Sequence, residues 1–149
     1  MSGKRTPADV RFWRHVGPKE PGRCWLWLGG IASGYGTFWD GVRNVMAHRF
    51  AYELLVGTIP AGLTIDHVRA RGCRSRLCVN PKHLEAVTMR VNLMRGDGPS
   101  ARCARRVRCP SGHPYSGTNL IIHKNGSRRC RKCENARDRA RWPARSAVA

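Results

Sequence analysis

Short alternating runs, followed by one helical run, organise the first half of the chain. From Cys24 to Leu28, Trp25 and Trp27 alternate with Leu26 and Leu28, which predicts a short strand closed by Gly29-Gly30. Phe38-Trp39 and Val42 to Met46 flank Asp40-Gly41, a dipeptide suited to a tight turn with positive φ, so a hairpin is expected there. The tryptophans and phenylalanines read as core, because a small domain must bury its aromatics to gain stability. Ala47, Phe50, Ala51, Leu54 and Leu55 then recur at the i, i+3, i+4, i+7, i+8 spacing of an amphipathic helix that Gly57 can end. His48, Arg49 and Glu53 fall on its other faces and read as solvated surface, with Arg49 a candidate for contact with a DNA backbone. Ile59-Pro60-Ala61-Gly62 has the form of a type I turn leading into a strand from Leu63 to Asp66.

Outside these runs the pattern weakens. Residues 1–23 are polar and rich in Gly and Pro, which predicts an arm with a short helix around Asp9 to His15 and a core beginning at Cys24. Asn80-Pro81 is a helix-start signal, since Asn caps free amides and Pro suits the first helical position; His83 then falls in the first turn. Arg95 to Ser100 reads as a flexible linker, Asn125-Gly126 as a hairpin turn, and Glu134 to Arg141 as a basic helix stopped by Pro143. The mixture is α+β.

Charge narrows the partner. The 149 residues carry 28 Lys+Arg against 9 Asp+Glu, a formal net charge of +19. That balance favours nucleic acid, bound through counterion release with salt-sensitive affinity. No apolar run approaches the roughly 20 residues that span a bilayer, and Met1-Ser2-Gly3-Lys4-Arg5 lacks the apolar segment of a signal peptide. A reducing cytoplasm is the expected location. The seven cysteines then read as thiolate metal ligands rather than disulfides.

The strand ending at Asp66-His67 carries the densest chemistry. Adjacent residues of an extended strand point to opposite faces, so a carboxylate can hold a hard cation while the next imidazole stays free to take a proton from water. Arg69, Arg71, Arg74 and Arg76 follow and are candidates for phosphate contact. His83 could reach back toward Asp66 and complete a two-residue metal platform. The plainer reading is an ordinary Asp-His pair and an ordinary helix cap.

With these residues in view, the chain resembles the HNH endonucleases of the ββα-metal fold, in particular the phage and actinobacterial type related to homing endonucleases. The resemblance runs from Cys24-Trp25-Leu26-Trp27 through Gly34-Tyr35-Gly36, Ala47 to Leu54, Ile59 to Leu63, Asp66-His67 and Cys78 to Glu85. It ends at Asn92 to Gly96 and covers about half of the chain. It implies a metal-dependent DNA endonuclease that nicks or cuts duplex DNA. His67 would be the general base, Asp66 and His83 the ligands of the catalytic ion (Mg2+ or another divalent metal), and Asn80 the brace that orients His67. Val68 to Gly72 make the loop before the cysteines longer than is usual in such sequences.

The cysteines suggest two zinc sites. Cys109-Pro110-Ser111-Gly112-His113 and Cys130-Arg131-Lys132-Cys133 offer four ligands on two knuckles, as tetrahedral Zn2+ requires, and this unit resembles the zinc-ribbon tails attached to many such nucleases. Cys24, Cys73 and Cys78 form a second set that lacks an obvious fourth ligand unless His83 supplies it, in competition with its catalytic role; buried apolar cysteines are the plainer reading. Cys103 has no evident partner.

The expected organisation is therefore a polar arm at 1–23, an HNH domain at 24–96 with an N-terminal small sheet and helix, a basic linker at 97–108, and a zinc-ribbon-like, DNA-binding tail at 109–142. Arg105, Arg106 and Arg108 add cationic surface ahead of the tail. Three functions remain open: a free-standing nuclease, a zinc-containing DNA-binding regulator without catalysis, and a nuclease that acts with phage packaging proteins such as terminase. Neither the target sequence nor the oligomeric state is written in any pattern.

Overall fold

The computed structural model describes residues 6–142. The chain divides into two compact units, residues 1–92 and residues 93–149.

The first unit opens with α1 (Ala8–Trp13), then β1 (Ile31–Ala32), β2 (Tyr35–Trp39) and β3 (Asn44–Met46), which form one antiparallel sheet in the order β1-β2-β3. The β2–β3 turn follows its sequence signal. Asp40 Oδ1 accepts hydrogen bonds from the amides of Val42 (2.7 Å) and Arg43 (2.8 Å), and Gly41 takes φ +117°. Helix α2 (Ala47–Leu55) begins directly from β3 and buries Ala47 and Ala51.

Core structure does not begin at Cys24, as the weak patterning of the first residues had suggested. Phe12 of α1 is completely buried; its ring stacks on Trp27 at 5.0 Å and meets Phe38 and Phe50 at 5.2 and 4.9 Å. A single turn-and-a-half helix needs only one inward side chain, which is too little to register as periodicity. Trp27 in turn lies flat on β2. A Cβ at Gly36 would stand 2.5 Å from its indole, so glycine is what admits the ring. The expected strand at Cys24–Leu28 is reduced to isolated bridges, Val16 to Trp27 and Leu26 to Cys78, although the alternation holds: Trp27 is buried while Leu26 and Leu28 are exposed.

Two further strands build the site. β4 (Leu63–His67) pairs antiparallel with β5 (Leu84–Thr88), in a register that sets Asp66 opposite Glu85 and His67 opposite Leu84. Ile65 and Leu84 pack with Ile59 beneath this hairpin. Here the expected helix after Asn80-Pro81 is corrected: it is one 3-10 turn, Pro81–His83, and the chain then extends into β5. Asn80 does cap that turn, accepting from the amide of Lys82 at 3.0 Å, but pairing with β4 outweighs helix propagation from Leu84 onward. Helix α3 (Met89–Arg95) follows β5, giving the order strand, strand, helix.

The second unit holds α4 (Pro99–Arg105), the antiparallel pair β6 (Leu120–Ile122) and β7 (Arg128–Cys130), and α5 (Arg131–Arg141). The stretch read as a basic linker thus contains a helix: Pro99 occupies its first turn and Ala101 is buried. Asn125-Gly126 turns the hairpin as expected, with Asn125 Oδ1 accepting from the amide of Ser127 at 3.0 Å. Pro143, the expected stop, lies outside the described residues. Among the described residues no helix is long and apolar enough to cross a membrane.

Candidate active site and metal centres

His67 ends β4 with its ring oriented by the backbone. Its Nε2 lies 3.1 Å from the carbonyl oxygen of Cys78. A carbonyl can only accept, so Nε2 carries the proton and donates it. In the neutral imidazole Nδ1 is then left with its lone pair, the form a general base requires. Asp66, one residue earlier, is buried. Glu85, opposite Asp66 in the ladder, is engaged by Arg71, whose Nη2 lies 3.1 Å from Glu85 Oε2.

Asn80 is held from both ends. It is 1% exposed; its Nδ2 donates to the carbonyl of Arg23 at 2.7 Å, while its Oδ1 takes the Lys82 amide. These bonds tie the Cys78–His83 loop to the segment before Cys24. No direct bond joins Asn80 to His67; its influence passes through the loop that carries the Cys78 carbonyl.

Cys24, Cys73, Cys78 and His83 form one cluster, with their ligand atoms all within 4.8 Å of one another. His83 Nδ1 stands 3.7 Å from Cys24 Sγ and 3.6 Å from Cys78 Sγ. Its other nitrogen faces Gly72, where a Cβ would come within 3.8 Å of it. The geometry thus groups His83 with the three cysteines, the alternative to its expected partnership with Asp66 on a catalytic ion. Backbone amides of Arg74 and Asn80 donate to the sulfurs of Cys24 and Cys78, each at 3.4 Å. Hydrogen bonding with Cys78 holds the Cys73 thiol down to about 5, and the same bond pushes Cys78 up, so the set readily supplies a thiolate. Three sulfurs and an imidazole in this arrangement suit Zn2+.

The second unit carries a parallel cluster. Cys109, His113, Cys130 and Cys133 also place their ligand atoms within 4.8 Å of one another, with His113 Nδ1 3.3 Å from Cys133 Sγ. Cys109 and Cys133 sulfurs are 3.6 Å apart. The knuckle closes through bonds from the Cys109 amide to the His113 carbonyl and from the Gly112 amide to the Cys109 carbonyl, each 2.9 Å. Cys103 is exposed and outside both clusters.

The sequence reading missed two neighbours of His67. His48, taken as solvated, is 8% exposed, with its ring centroid 4.9 Å from that of His67. Tyr35 completes a trio, 5.6 Å from His48 and 6.2 Å from His67. No local sequence signal marks His48, because the rings packed against it come from β2 and β4. The arginines divide. Arg71 and Arg74 are used within the loop, Arg74 Nη1 donating to the Arg69 carbonyl at 3.1 Å, while Arg76 lies over the Tyr35 ring at 5.5 Å. Arg69 also has an interaction of its own, and Arg49 is half-buried. In the second unit Arg105 pairs with Asp97 at 3.3 Å and Arg108 Nη1 donates to the Gly112 carbonyl at 3.0 Å, whereas the Arg106 side chain is exposed.

A strand pair followed by a helix, with an Asp-His at the end of the first strand, is the plan of an HNH nuclease domain, and residues 45–94 match the HNH endonuclease family model. The chain thus contains an HNH endonuclease domain. It is also 37% identical over 70 residues to Protein 7.7 of Escherichia phage T7, a match covering 46% of this chain and 51% of that protein. The chain spans about half the length of this curated relative. No solved structure matches it significantly.

Proposed function

We propose that this protein is a metal-dependent DNA endonuclease, phage-associated, in which His67 activates the attacking water. The observation that carries the reading is the His67 Nε2–H donated to the Cys78 carbonyl, which leaves Nδ1 as the free base beside a buried carboxylate. Nδ1 takes the proton as the water oxygen attacks phosphorus, and the 3′ oxygen departs.

Asp66 would hold a divalent ion, Mg2+ or another hard cation. A second protein ligand is needed now that His83 belongs to the cysteines. Glu85 is occupied by Arg71. On α3, Asn92 is the residue with a side-chain oxygen, and it is half-buried, so it takes that place in the proposal. When bound there, the ion supplies positive charge opposite the charge that develops on the phosphate and leaving oxygen. Zinc at both Cys/His clusters has a structural role in this reading, and the basic surface of both units binds the phosphate backbone.

A supercoiled-plasmid assay with Mg2+ tests the reading: nicked or linear product is expected from the wild type and none from His67→Ala, whose DNA affinity should be unchanged. Full cleavage by His67→Ala would overturn the assignment of the base. Absence of cleavage by the wild type with every divalent metal tried would favour a DNA-binding protein without catalysis.

A further inference from the structure

Between α1 and the edge of β2 lies a cavity of about 400 Å³ with no acidic residue in its lining. β1 pairs with β2 only at Tyr35 and Gly36. Beyond that pairing Arg11 of α1 reaches the strand, its Nη1 donating to the Trp39 carbonyl at 2.9 Å and its Nε to the Thr6 carbonyl at 3.2 Å. The guanidinium of Arg11, over the Phe38 ring at 5.3 Å, is thereby fixed. Arg14 and His15, which follow α1, line the cavity with exposed side chains, and the Arg14 guanidinium has no hydrogen bond or ion pair among the described residues. Gly29 and Gly30 also line it and can do so only with backbone; a Cβ at Gly29 would stand 2.6 Å from the Trp27 indole. Asp40, on the adjoining turn, spends Oδ1 on the amides of Val42 and Arg43. A concave lining of guanidinium, imidazole, the Thr37 hydroxyl and glycine backbone, without a carboxylate, suits a phosphate.

We propose that this cavity is a phosphate site that holds one backbone phosphodiester of the DNA at a distance from the bond being cleaved, with Arg14 as the cation that contacts it and Arg11 as its brace. The inference rests on the nuclease reading above for where the DNA lies. Tyr35, at the other end of β2, sets its ring 6.2 Å from that of His67. From Tyr35 to Trp39 the strand advances roughly 13 Å, at about 3.3 Å per residue. A duplex advances about 3.4 Å per base pair, which puts the held phosphate about four steps from the candidate base. Such a contact reads no sequence. It fixes the register of the strand on His67, and so acts on substrate binding rather than on the chemical step.

The test measures duplex affinity of the full-length protein against salt without added Mg2+, then cleavage with it. Arg14 is exposed, so Arg14→Ala leaves the core intact. The variant should bind about tenfold more weakly, reduce the slope of log affinity against log salt by about 0.9, and raise KM with kcat unchanged. Single methylphosphonate linkages, which carry no charge, are then placed in turn along a duplex with a mapped cut. In the wild type one linkage about four steps from the cut should weaken binding by a similar factor; in Arg14→Ala the same linkage should have no further effect. Wild-type affinity and slope in Arg14→Ala overturn the inference and leave the cavity a site for free phosphate at most. An Arg14→Ala variant as sensitive as the wild type to every linkage also overturns it. A wild type that cuts nothing, yet loses slope on Arg14→Ala, overturns the nuclease reading and keeps the phosphate site.

Discussion

The two Cys/His clusters use the same ligand types but are built in opposite ways. In the second unit the outermost sulfurs in contact, those of Cys109 and Cys133, are 24 residues apart, and the ligands sit on a knuckle and on the turn from β7 into α5. In the first unit Cys24 and His83 are 59 residues apart, and the cluster gathers an N-terminal segment, a long arginine-rich loop and a 3-10 turn. One cluster folds a peptide that has little else to fold it. The other joins distant parts of a domain that already has an aromatic core, and one of its ligands, Cys78, offers its carbonyl to His67. On the proposed reading, equivalent ligand sets would stabilise a module in one place and position a base in the other.

Metal removal should separate them most sharply. Two zinc ions per chain are expected by elemental analysis. Chelation should unfold the second unit outright, because zinc supplies on the order of 10 kcal/mol in such small modules; the first unit should retain the protected amides of its Phe12–Trp27–Phe38 core in hydrogen exchange. A tail that keeps its exchange protection after complete zinc loss would break the contrast.

Next in size is the effect on cleavage. Cys78→Ser should lower it by about 10³-fold or more, within the range for loss of a working general base, whereas Cys133→Ser should leave hydrolysis of a short duplex at low salt near the wild-type rate. Equal losses in the two variants would erase the distinction between a positioning cluster and a structural one.

A smaller effect appears in acid. His48 is held neutral in the folded protein while its unfolded counterpart titrates near 6.5. Below that pH the unfolded chain binds a proton the native one does not, so stability falls as pH drops from about 6.5 toward 3, by up to about 1.4 kcal/mol per pH unit. Urea midpoints of wild type and His48→Asn should converge over that range, because losses at the zinc clusters are common to both and cancel in the difference. Parallel curves would show that His48 is not kept neutral.

The smallest effect concerns the exposed arginines. Arg106→Ala should reduce the slope of log affinity against log salt by about 0.9, the share of one phosphate contact. Arg71→Ala should act differently, through Glu85 and the loop. The same slope change for both would mean that Arg71 leaves its ion pair to bind DNA.

What could be read from the sequence follows the same division between local and distant. The hairpin at Asp40-Gly41, helix α2 and the four-ligand knuckle depend on neighbours within a few tens of residues, and each left a spacing to read. The course of β5 did not: Leu84 to Thr88 is a strand because β4 accepts it, and the local Asn80-Pro81 signal pointed to a helix instead. His83 was ambiguous for the same reason, since its choice between Asp66 and three cysteines is made by chain segments far away in sequence. His48 was invisible, because its surroundings come from β2 and β4 rather than from the helix that bears it.

The bond from His67 to the Cys78 carbonyl also bears on when the protein becomes dangerous. The carbonyl that orients His67 belongs to a residue of the Cys24–Cys73–Cys78–His83 cluster, so on the proposed reading a chain starved of zinc would carry a less directed histidine. If the proposed function holds, cleavage competence would then depend on zinc supply as well as on the catalytic ion.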